Sequence, residues 1–125
     1  MPKKILIIDD EQDMRVYLGA LFQQAGYETA TAENGIEGLR QALSFQPDLI
    51  TLDIMMPKRS GVKTYRELRS APETRGVPVV VLTGLTRQED FFGGDLGDLP
   101  PPEAVVEKPI QREQFLKQVG EIIGG

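Results

Sequence analysis

Short apolar runs alternate with segments of helical period along the whole chain, and few folds accept that order. Ile5 to Ile8, Tyr27 to Ala32, Leu49 to Leu52, Val77 to Leu82 and Ala104 to Val106 read as strands. The first is too uniformly apolar for a half-exposed strand, so it belongs in a parallel sheet covered on both faces. Between the strands, Met14, Tyr17, Leu18, Leu21, Phe22 and Ala25 recur at helical spacing until Gly26 ends the element. Gly35 to Ser44 reads as a second helix with Ile36, Leu39, Ala42 and Leu43 inward, closed by Pro47. Val62, Tyr65 and Leu68 mark a third helix. Gln111 to Ile123 makes the last, with Phe115, Leu116, Val119, Ile122 and Ile123 inward. The stretch from Gly84 to Pro102 holds Gly93, Gly94, Gly97 and three consecutive prolines, which predicts only a short or irregular fourth helix near Arg87 to Phe92.

Five βα units with right-handed crossovers predict an α/β three-layer sandwich, with a five-stranded parallel sheet in the flavodoxin-like order 2-1-3-4-5. A length of 125 residues with 40% hydrophobic content suits one domain, 1–125. No apolar run approaches the roughly 18 residues of a membrane span, and Met1 to Lys4 lead straight into a strand rather than a signal-peptide core. The expectation is a soluble cytoplasmic protein with no membrane partner. A net charge of -5 and a pI near 4.8 argue against direct nucleic-acid binding. The chain has neither cysteine nor histidine, so thiolate and imidazole chemistry are absent and any phosphohistidine must come from another protein.

The predicted order brings the first and third strands side by side. Asp9 and Asp10 then face Asp53 across the topological switch point, with Thr83 and Lys108 ending the fourth and fifth strands on the same rim. Two like charges about 4 Å apart repel by roughly 4 kcal/mol at an effective dielectric near 20, so three acids call for a cation. Mg²⁺ fits, being hard, oxygen-seeking and held by one or two carboxylates plus a phosphate. A carboxylate beside it can attack a phosphoryl group, which makes Asp53 the candidate nucleophile. Lys108 supplies a compensating point charge and Thr83 a hydroxyl donor. Taken singly, these residues have ordinary roles: Asp9 and Asp10 as helix caps, Asp53 as a loop residue, Thr83 in strand-end hydrogen bonding, Lys108 as a solvated lysine. Their joint occurrence at successive strand ends is what points to a site.

At these residues the sequence closely resembles the receiver domain of bacterial two-component response regulators, over essentially its whole length. The segments are ILIIDDE, PDLITLDIMMP with Gly61 following, VVVLTG and VEKP. The resemblance implies that Asp53 accepts phosphate from the phosphohistidine of a sensor histidine kinase or histidine phosphotransfer protein. It implies that Asp10, Asp53 and the Met55 carbonyl contact Mg²⁺, with Asp9 acting through water, and that Thr83 swings toward the phosphoryl oxygens. It also implies a cis peptide between Lys108 and Pro109. The protein is then a signalling switch rather than a metabolic enzyme.

Two features depart from the family pattern. Val105 stands where receivers commonly carry an aromatic residue that changes rotamer on phosphorylation, leaving Phe91 and Phe92 as remote substitutes. The glycine- and proline-rich stretch before Lys108 is longer than usual, and is expected to become ordered on phosphorylation or partner binding. Met55 and Leu85 occupy positions that tune hydrolysis in the family, and neither side chain can orient a water by hydrogen bonding. With only Gly124 and Gly125 after Ile123, the chain reads as a stand-alone receiver or one cut from a longer protein bearing a fused output domain or addressing a downstream effector. The alternatives are a receiver fold used as an unphosphorylated interaction module, an aspartyl-phosphate phosphohydrolase and a flavodoxin. The phosphohydrolase lacks its general acid, since Met55 stands two residues after Asp53. The flavodoxin would have its flavin phosphate repelled by Asp9, Asp10 and Glu11.

Overall fold

The computed structural model describes residues 2–54, 60–84 and 100–124. Five strands, β1 (Lys4–Ile8), β2 (Glu28–Ala32), β3 (Leu49–Asp53), β4 (Val79–Thr83) and β5 (Ala104–Glu107), form one parallel sheet in the order β2-β1-β3-β4-β5. The predicted sandwich and strand order are both present. Four helices lie among the described residues: α1 (Gln12–Gln24), α2 (Gly35–Phe45), α3 (Ser60–Ser70) and α4 (Arg112–Ile123). The short helix expected near Arg87 to Phe92, and Phe91 and Phe92 themselves, lie outside the described residues.

Strand alternation divides the core in two. Leu6, Ile8, Ile50, Leu52, Val79 and Val81 face α2 and α3, where Ala42, Tyr65 and Leu68 meet them. Ile5, Ile7, Leu49, Val80 and Leu82 face α1 and α4, against Leu18, Leu21, Phe22, Phe115 and Val119. Leu116, Ile122 and Ile123 pack at the edge of this second core as expected, and Val105 packs half-buried against the first.

Gly26, at φ +98°, closes α1 as predicted. Its N–H bonds to the carbonyl of Gln23 and that of Tyr27 to the carbonyl of Phe22, a Schellman turn that delays β2 until Glu28. Likewise the Val77 N–H turns back to the carbonyl of Thr74, so β4 begins at Val79 rather than Val77.

Four residues expected on the apolar stripes of α1 and α2 are exposed instead. Tyr17 is 43% exposed, and Ala25 is exposed as the residue that ends α1. On α2, Ile36 and Leu43 face outward at 84% and 52% exposure, while Gly38 and Ala42 are buried with Leu39 and Phe45 beside them. The reason is closeness. A Cβ on Gly38 would come within 2.7 Å of the Ile8 side chain, so the helix touches β1 through its smallest residue, and Ile36 lies on the far side at about 200° around the axis.

At the N-terminal ends of β4 and β5 a network centred on the buried Arg69 and reaching the more exposed Glu103 ties three segments together. The Arg69 guanidinium donates to the carbonyls of Arg75 and Val77 at 3.0 Å each, to the Tyr65 hydroxyl at 3.0 Å and to Glu103 at 2.6 Å. Tyr65 donates to the carbonyl of Pro100, and Glu103 also accepts from the Val79 N–H at 2.7 Å. Arg69 lies on α3 one turn beyond Tyr65, off the apolar stripe of Val62, Tyr65 and Leu68 by which the sequence marks that helix.

Candidate functional site

The site lies at the opposite end of the sheet. Asp53 is the last residue of β3 and Asp9 follows β1 directly; because Ile8 pairs with Leu52, the two acids stand side by side. Thr83 ends β4, and Lys108 follows β5 with its N–H bonded to the Thr83 carbonyl at 2.9 Å. The expected cis peptide joins Lys108 to Pro109.

Carboxylate oxygens of Asp9, Asp10, Glu11 and Asp53 all lie within 4.8 Å of one another. Asp9 and Asp53 are buried at 0% and 2% exposure, and Thr83 at 4%. Asp10 and Glu11 are exposed, which leaves the cluster open to solvent on one side. Lys108 Nζ stands 3.6 Å from Asp53 Oδ1 and 3.9 Å from Glu11 Oε1. Glu11 is the residue that sequence reasoning missed as a member of this group. Its signal was present in the unbroken run Asp9, Asp10, Glu11. Met55 lies outside the described residues.

Local structure fixes Asp9 on both sides. Its Oδ1 accepts from the Glu11 N–H at 2.9 Å, and its carbonyl accepts from the Arg15 guanidinium at 2.8 Å. Gly61, at the start of α3, has a matching function for Asp53: a Cβ there would lie 2.7 Å from the Asp53 carbonyl oxygen and 2.5 Å from the Ile54 Cα, so only glycine lets α3 approach the end of β3 this closely.

Burial pushes the Asp9 carboxyl up from 3.8 to about 6, and the neighbouring Asp53 charge adds to that; the Glu11 N–H and Lys108 act against it. Asp9 Oδ2 is buried and has no hydrogen-bond partner among the described residues. A buried carboxylate oxygen without a partner, inside a group of four acids faced by one lysine, is a strong demand for positive charge. The donors are all oxygen, which suits a hard divalent ion such as Mg²⁺. Asp10 and Asp53, with Asp9 and Glu11 beside them, are the described residues able to hold it. No helix among the described residues is long and apolar enough to cross a membrane.

Comparison with known proteins agrees with this geometry. The family model of the response regulator receiver domain matches residues 5–120. The polar-differentiation response regulator DivK of Brucella anthropi is 33% identical over 125 residues, covering 99% of this chain and 98% of its own. The chemotaxis response regulator CheY4 of Vibrio cholerae superposes with a TM-score of 0.84 at 28% identity, covering 98% of this chain and 99% of its own. The receiver domain of a sensor histidine kinase from Pseudomonas aeruginosa PAO1, 23% identical and covering 100% of both chains, shares the fold with a TM-score of 0.84; it holds a magnesium ion in its active-site cleft. With the family model matching nearly the whole chain and full-length relatives above 30% identity, the chain belongs to the response regulator receiver domain family, whose members are phosphorylation-dependent signalling switches.

Proposed function

We propose that Asp53 is the phosphoacceptor of this receiver, taking a phosphoryl group from the phosphohistidine of a sensor histidine kinase or histidine phosphotransfer protein in a Mg²⁺-dependent reaction. The observation that carries the reading is the 3.6 Å approach of Lys108 Nζ to Asp53 Oδ1 within the cluster of four acids. The Asp53 oxygen attacks phosphorus, the phosphorus–nitrogen bond of the donor histidine breaks, and an acyl phosphate forms. Bound Mg²⁺ would be held by Asp10, Asp53 and the Met55 carbonyl, with Asp9 acting through water, and would neutralise charge on the transferring group. Lys108 keeps Asp53 oriented beforehand and pairs with a phosphoryl oxygen afterwards. Thr83 presents its hydroxyl from the end of the adjacent strand.

Lys108, Pro109 and Ile110 line an apolar recess of about 270 Å³ with Met14 and the exposed Tyr17. That recess opens beside the lysine, where the donor protein must bring its histidine, and we assign it to donor docking. With valine at position 105, the output change would run through Thr83 and its backbone bond to Lys108 rather than through an aromatic rotamer. The reading assigns the chain a regulatory role in the cytoplasm, where kinases draw on ATP, acting on an effector or a fused output domain rather than on nucleic acid.

Incubation with acetyl phosphate and Mg²⁺, followed by intact-mass measurement, tests the assignment. One phosphoryl mass on the wild type and none on Asp53→Asn or in chelator is the expected result. Phosphoryl mass that persists on Asp53→Asn sinks it.

A further inference from the structure

Thr51 has no part in the chemistry above. It is the middle residue of β3 and 1% exposed, yet its hydroxyl has no hydrogen-bond partner among the described residues. The one other buried side-chain oxygen in that condition among them is Asp9 Oδ2. Native interiors seldom leave such groups unsatisfied, so each of the two asks for a partner, and their proximity lets one water serve both.

The two share a face of the sheet. Ile5, Ile7, Leu49, Val80 and Leu82 enter the core beneath α1 and α4, and strand alternation puts Asp9, Thr51 and Asp53 on that same side. Since Ile7 pairs with Thr51 and Ile8 with Leu52, Asp9 lies one side-chain step further along, diagonal to Thr51. Two residues along a strand and one strand across separate Cα positions by about 8 Å. Each oxygen covers part of that span. The remainder suits one bridging water better than a direct bond, which requires about 2.8 Å. A carboxylate oxygen carries two lone pairs, so Oδ2 can accept from this water and still face the cation site.

We propose that Thr51 is a positioning residue of the acid site, its hydroxyl holding the unpartnered oxygen of Asp9 through one buried water and so fixing the carboxylate's orientation toward the cation. The proposal deepens the Mg²⁺ reading given above and rests on it. Thr51 thereby extends the site one layer into the sheet.

Calorimetric Mg²⁺ titration of wild type, Thr51→Val and Thr51→Ser tests it. Thr51→Val, of the same shape without the hydroxyl, is expected to bind Mg²⁺ about tenfold more weakly, and Thr51→Ser within about twofold of wild type. A Thr51→Val protein that binds Mg²⁺ as wild type does and melts at a higher temperature marks the hydroxyl as an ordinary unpaired core group and overturns the proposal. Should Thr51→Val lose its cooperative melt, Thr51→Ala against Thr51→Ser makes the same comparison. A crystal structure of the metal-free wild type is an independent readout: a water within hydrogen-bond distance of both Oγ1 and Oδ2 supports the bridge, and Oγ1 bonded instead to a backbone carbonyl overturns it. A wild type that binds no Mg²⁺ refutes the functional reading, while the crystal structure still decides the bridge.

Discussion

Among the described residues, four carboxylates face Lys108 at the C-terminal rim of the sheet and a buried Asp9 oxygen has no hydrogen-bond partner; at the opposite end Arg69 is buried with its donors distributed over Tyr65, Glu103 and two carbonyls. Both ends bury charge, and only one completes it. A satisfied buried ion holds its neighbours in a single arrangement, because losing any partner leaves a desolvated group behind. An unsatisfied one instead holds a standing demand for a ligand. The contrast separates architecture from chemistry within a single sheet.

The largest effect expected from this contrast lies at the Arg69 end. Arg69→Met keeps the volume but leaves the carbonyls of Arg75 and Val77 and the Tyr65 hydroxyl without their donor, at about 1–3 kcal/mol for each buried group left unpaired, and should cost about 3–5 kcal/mol in urea unfolding. A loss near zero would show that the network is not a structural element. At the acid end the sign reverses. Folding raises the Asp9 pKa from 3.8 to about 6, so the folded state holds that proton more tightly; the associated stability is whole below about pH 4 and is lost as pH rises through 6. In Mg²⁺-free buffer Asp9→Asn should therefore match wild type near pH 4 and exceed it by roughly 2–3 kcal/mol at pH 7, a gap that saturating Mg²⁺ closes. A difference that does not vary with pH would break the comparison. The smallest effect belongs to Glu11, whose side chain is 63% exposed and 3.9 Å from Lys108. Glu11→Gln should shift the unfolding free energy by less than about 1 kcal/mol, since solvent screens the pair. A larger change would place Glu11 with the buried acids.

How much of this was legible in the sequence depended on whether a residue's role is set by its place along a strand. Asp9, Asp53, Thr83 and Lys108 were readable because parallel strand ends share a rim, so the order of elements alone assembles them. Ile36 and Leu43 were misread for the opposite reason. Counting apolar side chains assigns them to the core, whereas contact with β1 runs through Gly38 and Ala42, whose small size is what permits the approach. Arg69 was invisible because two of its acceptors are backbone carbonyls and its acid lies 34 residues away. Thr51 looked like any strand threonine, since β-propensity carries no record of whether a hydroxyl finds a partner.

The Tyr65–Arg69–Glu103 network also bears on how such a domain diversifies. It grips the chain at Pro100 and Glu103, while β4 holds it through Thr83, so the intervening sequence is moored at both ends independently of its own composition. A change in the length or composition of the sequence between those moorings would therefore cost little in loop closure and would leave the end of β5, and Lys108 with it, where it is.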